Sequence, residues 1–270
     1  MPIPDLKARI HELLVAGFAR RGFAYARLPR KDPNANRYSP FVRTVALASS
    51  SPAPTATWTI TVDVRGVRRG QEGYVFLDLH CALRIDAAGD LLDDPSSVKG
   101  GAGTFYANPG GMTRGEAAVP HVDDGQDPQP SIDALFEIVD ALLLPWLQKY
   151  SNLQSLVDDL MPPIHVARAE RLARWVPAKP GDPIAPRDAV SAADTPWTLM
   201  ALIAVAHLLE QLDTCETIAI RARANYADAE QGSVQEALAD QLADGLRLFY
   251  ERHLKGKVDG VRPEVWLGPA

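Results

Sequence analysis

Thr57–Arg65, reading TWTITVDVR, and Tyr74–Ile85, reading YVFLDLHCALRI, decide the fold of this 270-residue chain. In the first stretch Trp58, Ile60, Val62 and Val64 alternate with Thr57, Thr59, Thr61, Asp63 and Arg65. In the second, Val75, Leu77, Leu79, Cys81, Leu83 and Ile85 face one way. Tyr74, Phe76, Asp78, His80 and Arg84 face the other. A period of two marks a strand with one buried and one wet face. Two such strands joined by a glycine-containing loop, Gly66–Gly73, predict an antiparallel hairpin. A sheet with one wet face suits an α+β fold better than a parallel α/β design.

Working outward toward the start, residues 5–21 predict a helix. Leu6, Ile10, Leu13 and Leu14 recur at helical spacing, Asp5 can cap the start and Gly22 stops the end. Phe23–Arg27 reads as a short strand, Lys31–Pro40 as a polar loop, and Val42–Ala48 as another strand. Toward the end, residues 86–130 read as irregular, rich in aspartate and glycine. Helices resume after Ser131, on the stripe Leu135, Ile138, Val139, Leu142 and Leu143, and Pro145 bends or ends that helix. Ser151 and Gln154 have the spacing of a capping box for the next one. Pro162 and Pro163 mark a boundary, His165–Trp175 reads as helix, and 176–187 is a proline-rich linker. Thr195 caps a helix with Pro196 at its first position. Leu199–Leu212 and Cys215–Tyr226 form a helical pair around Asp213. Ser233 and Glu236 open a last helix ending near Leu254. The expectation is an antiparallel sheet with flanking helices over 1–161 and an all-helical part over 162–270, resembling one tetratricopeptide-style hairpin with an extra helix.

Charge is unevenly spread. Residues 1–70 carry a net charge of +8, 71–150 of −9 and 151–270 of −5. Such segregation bears on partners and encounter rather than on fold. The basic opening holds Arg20, Arg21, Arg27, Arg30, Lys31, Arg37, Arg43, Arg65, Arg68 and Arg69, with Tyr25, Tyr38 and Phe41 interleaved. A nucleic-acid surface has this look. The whole-chain charge of −6 opposes approach to a polyanion, so nucleic acid is not the expected partner. No stretch reaches the length of a membrane span, and no signal-peptide pattern opens the chain, so a cytoplasmic protein is expected. Cys81 and Cys215 sit in apolar-patterned segments and are expected as buried thiols.

A search for chemistry finds little. The six histidines show no metal-ligand spacing. His207 and Glu210 lie one helical turn apart, which suits a half-buried histidine bonded to a carboxylate. His121, Asp123 and Asp124 could hold a hard cation, but read better as a solvated acidic loop. Lys99 precedes Gly100, Gly101, Gly103 and Thr104, the reverse of a phosphate-binding loop, so a surface loop is expected. No serine elbow or activated cysteine stands out. Neither catalytic residues nor a metal or other cofactor are expected.

The helix running into Gly22-Phe23, the strand at Trp58–Val64, and Pro145-Trp146-Leu147 followed by Leu153 and Leu156 resemble small bacterial α+β proteins found among the immunity proteins of polymorphic toxin systems. The likeness covers about residues 1–160. It implies a protein that acts by binding, with the helical tail as an added surface, and carries no catalytic residues with it. Separately, a toxin domain that degrades nucleic acid tends to be basic. An acidic inhibitor can occlude the phosphate-binding site of such a toxin. Asp90, Asp93, Asp94, Asp123, Asp124 and Asp127 are the expected contact residues. The alternative surface is the wet strand face with Asp63, Arg65, Asp78, His80 and Arg84, where a dispersed catalytic site would also lie. A helical peptide- or protein-binding adaptor, working through the C-terminal helices, is the other functional class.

Overall fold

The structure, a computed structural model, describes residues 3–27, 38–47, 55–69, 72–92, 104–107, 120–123, 125–160, 195–227 and 234–268. The hairpin is there as β3 (Thr55–Arg69) and β4 (Glu72–Ile85), antiparallel, with Ile60 opposite Cys81 and Val62 opposite Leu79. The strands run further than the alternation. Gly66 pairs with Val75 and Arg69 with Glu72, so the expected loop is mostly strand. Gly66 breaks the side-chain pattern without breaking the ladder, because ladder bonds come from the backbone.

On the other side of β3 lies β2 (Tyr38–Ala46), followed by β1 (Ala24–Tyr25). Tyr38, Ser39 and Pro40 were expected in a loop but belong to β2. Pro40 is tolerated because its carbonyl accepts from Ala26 N at 2.9 Å on the β1 side. Its missing N–H points the same way, toward the thin edge and away from β3. The segment expected as irregular contains α2 (Asp86–Leu92), β5 (Thr104–Ala107) and β6 (His121–Asp123). β5 pairs with residues 81–84 of β4 and β6 with residues 74–76, on one edge. Four- and three-residue strands are too short to show a period, yet Phe105, Ala107 and Val122 are fully buried.

Helix α1 (Ile3–Arg20) lays Leu6, Ile10, Leu14 and Phe18 against the apolar face of the sheet. Phe18 stacks on Phe41 at 4.1 Å and meets the edge of Phe136 at 5.0 Å. Gly22 ends the helix in the left-handed region, φ 78°. Phe136 belongs to α3 (Gln129–Ile138), which continues through a π-helical turn (Val139–Leu143) into α4 (Leu144–Tyr150). Pro145 therefore does not end the helix. The wider turn lets Leu144 N–H reach Val139 O. The following helix, α5 (Leu153–Leu160), is capped by Asn152 and not by Ser151: Asn152 Oδ1 accepts from Gln154 N at 3.0 Å. Ser151 Oγ instead accepts the Trp58 indole N–H at 2.9 Å and donates to Leu147 O, tying helix to sheet.

Helix α6 (Pro196–Leu208) is buried all round from Thr198 to Ala206, as expected of a helix with no polar face. Thr195 Oγ1 accepts from Thr198 N, the expected cap. α6 packs on α2, α5 and β5 as well as on α7 (Leu212–Asn225) and α8 (Val234–Phe249), so the buried core runs from the sheet into these helices. The first helix of the pair stops at Leu208, earlier than expected, because Glu210 adopts φ 58° in the turn. A π-helical turn (Tyr250–Leu254) extends α8, and a short α9 (Pro263–Leu267) closes the chain with Trp266 fully buried. The expected boundary at 161/162, the helix His165–Trp175, the linker 176–187 and the Ser233 cap lie outside the described residues. Cys81 and Cys215 are free and buried; burial raises both thiols, Cys215 to about 12.

Candidate functional site

The wet face of the hairpin gathers polar groups in a fixed register. On β3 and β4, Thr57 stands opposite Arg84, Thr61 opposite His80, Asp63 opposite Asp78, and Arg65 opposite Phe76. Directly opposed residues share a sheet face and approach within side-chain contact. β6 adds His121 opposite Phe76 and Asp123 opposite Tyr74. Two separate sequence features thus meet. Asp123, expected in an acidic loop, lies in a strand on the same face as Asp78 and His80.

Among the described side chains of this face, carboxylates outnumber fixed cations. Asp63, Asp78, Asp86 and Asp123 are set against Arg65 and Arg84. Asp63 is buried, with its side chain only 2 % exposed, while Arg65 is largely in solvent and donates to Asp63 Oδ2 at 2.9 Å. Asp78 and His80 are both about half in solvent, with His80 Nε2 3.4 Å from Asp78 Oδ2. His121 Nε2 is 3.9 Å from Asp123 Oδ1, and its ring lies 6.1 Å from Tyr74. Arg84 Nε is 3.8 Å from Asp86 Oδ1, too far for a hydrogen bond. Asp86 instead accepts the hydroxyls of Thr55 at 2.6 Å and Thr57 at 3.2 Å. Exposed carboxylates on a stiff strand pair can accept from lysine or arginine side chains of a partner.

Of the expected acidic contacts, Asp90 is exposed on α2, Asp123 on β6 and Asp127 just before α3. Asp127 Oδ1 accepts from Gln129 N at 3.1 Å. Asp90 follows one end of β4, whereas Asp123 pairs at the other, roughly 35 Å away at about 3.3 Å per residue. These two do not share a patch. Asp93, Asp94 and Asp124 lie outside the described residues, as do Lys99, Gly100, Gly101 and Gly103. No group of three His, Cys, Asp or Glu suited to a metal ion occurs among the described residues.

Of the basic opening, Arg20, Arg21 and Arg43 line one shallow pocket, while Arg30, Lys31 and Arg37 lie outside the described residues. Arg21 lies 4.1 Å over the Phe136 ring and donates to both carboxylate oxygens of Asp140, at 2.7 and 2.5 Å. Arg43 sits over Trp58 and donates to Arg21 O. Phe41 is fully buried and offers no stacking surface. The expected bond from His207 to Glu210 does not form. Glu210 turns away in its left-handed conformation, and His207 meets Phe249 edge-on at 5.5 Å and His253 at 6.2 Å. Burial first, and His253 second, lower the His207 pKa from 6.5. His253 Nε2 bonds Leu91 O at 2.7 Å, joining the end of α8 to α2.

No protein-family model, curated protein or solved structure matches this chain.

Proposed function

We propose that this is a non-catalytic binding protein that engages a basic protein through the wet face of its sheet. The reading is that of a bacterial, cytoplasmic inhibitor of the immunity type, which neutralises a toxin by covering its active site. The observation that carries it is the placement of Asp78 and Asp123, each about half exposed, on one face of a rigid antiparallel sheet. No helix among the described residues is long and apolar enough to cross a membrane.

Exposed carboxylates act on encounter more than on residence. The test is capture from the native host with the wild-type chain and with the Asp78→Asn, Asp123→Asn double variant, followed by binding kinetics on the captured protein. The proposal expects a basic protein whose association slows in the variant and whose salt dependence flattens. Equal association rates at low salt, or an acidic captured protein, would overturn it.

A further inference from the structure

Four large apolar side chains are exposed among the described residues: Trp197, Ile220, Leu248 and Leu267. Two of them, Trp197 and Leu248, line the same cleft of about 320 Å³. Its long wall is α8 with the π-helical turn that follows, and its opposite wall is Leu91 and Leu92 of α2 with the start of α6. Gly245 lies in the wall because α8 runs close to α6. A Cβ there would stand 3.3 Å from Met200 Sδ, tighter than ordinary contact.

The charges on this wall have a symmetry of their own. Asp244, Leu248 and Arg252 all line the cleft, with the apolar residue midway between an acid and a base, four positions from each. When two copies of such a helix cross antiparallel at Leu248, residues equally spaced on either side of it meet. Asp244 of each copy then faces Arg252 of the other, twice. A two-fold interface requires a patch to complement itself, and this one does. Asp244 has a neighbour in its own helix, Arg247 Nη2 at 3.2 Å, but its side chain is 71 % exposed and has room for a second cation. Glu251 holds the other side of Arg247 at 3.6 Å.

We propose that the α8 cleft is a self-association surface, in which a second copy of this chain packs antiparallel about Leu248, with Trp197 at its margin.

Sedimentation equilibrium of the full chain over a wide concentration range tests this. The expected result is a monomer–dimer equilibrium that Leu248→Asp abolishes while the thermal melt of the dilute monomer stays put, since Leu248 is partly exposed. Asp244→Arg or Arg252→Asp alone places like charges together at both symmetry-related pairs and weakens the dimer about a hundredfold, about tenfold for each close charge pair. The double reversal Asp244→Arg, Arg252→Asp restores it, because each pair is reversed across the axis. A chain that stays monomeric at every concentration overturns the proposal. So does a dimer indifferent to Leu248→Asp, or a double reversal as weak as the single ones. Capture of a different protein by the cleft of a purely monomeric chain also counts against it.

Discussion

Asp63 lies directly across the β3–β4 ladder from Asp78, one carboxylate buried and the other half in solvent. Like charges in opposed positions destabilise a strand pair by a few tenths to about 1 kcal/mol. Asp63 is held in place by Arg65; Asp78 leans on His80. The two aspartates should therefore respond oppositely to neutralisation. Asp63→Ala should cost about 1–3 kcal/mol, because it empties a buried site and removes an ionic hydrogen bond. Asp78→Asn should be neutral or slightly stabilising. Urea unfolding of both variants checks the pair. Equal losses would mean that the two carboxylates do not oppose each other.

The core side of the same hairpin predicts large effects. Ile60 and Leu79 are 0 % and 2 % exposed, and each packs among residues of several elements. Ile60→Ala or Leu79→Ala should cost about 2–5 kcal/mol, as other large-to-small core changes do. A loss below about 1 kcal/mol at both sites would mean that the strand faces are assigned the wrong way round.

The hairpin was legible because its alternation spans many residues and one side of the sheet is dry. α1 was legible for the same reason at helical period, whereas α6 was legible from its Thr195-Pro196 start and α8 from the capping-box spacing at its start. β5 and β6 were hidden because a strand of three or four residues cannot establish a period, and their burial comes from pairing with β4, a tertiary event. That one miss also hid the composition of the candidate site. Only the β4–β6 register places Asp123 and His121 beside Phe76 and Tyr74, on the face that carries Asp78 and His80. α9 was hidden because its five residues gain their place from long-range partners on α7. The Ser151 cap failed for a similar reason: its hydroxyl is committed to Trp58, ninety-three residues earlier.

His207 predicts an acid-sensitive core. Its folded pKa lies below 6.5, through burial first and the neighbouring His253 second. The unfolded chain therefore binds a proton more readily than the folded one. The His207 contribution to stability is intact above the unfolded pKa and is lost as pH falls below about 6.5. Melting temperature should drop between pH 7 and 5.5, and His207→Gln should make that part of the profile shallower. His11, also lowered by burial and then by Arg27, adds to the wild-type slope and remains in the variant. A profile of unchanged steepness in His207→Gln would rule out this histidine as a source.

The last prediction concerns the end of the chain. Glu216 on α7 is 2 % exposed and accepts from Arg262 twice, from the backbone N at 2.8 Å and from Nε at 2.6 Å. Two turns further along, Arg223 donates to Val265 O at 3.1 Å and to Trp266 O at 2.5 Å. These bonds seat Trp266 flat against Phe249, the rings 5.8 Å apart. The anchor is polar on its outer side and aromatic beneath, so the two halves should fail differently. Trp266→Ala empties a filled core site and should cost about 3–5 kcal/mol of global stability. Glu216→Gln keeps the shape and two oxygen-to-nitrogen contacts become one. It should cost about 1.5–3 kcal/mol, the range for hydrogen bonds to a charged group. That loss should appear first as faster amide exchange in residues 262–268, ahead of the sheet, because local opening of a short helix held by few partners is cheaper than global unfolding. Uniform acceleration of exchange across sheet and helices in Glu216→Gln would show instead that α9 unfolds only with the whole molecule.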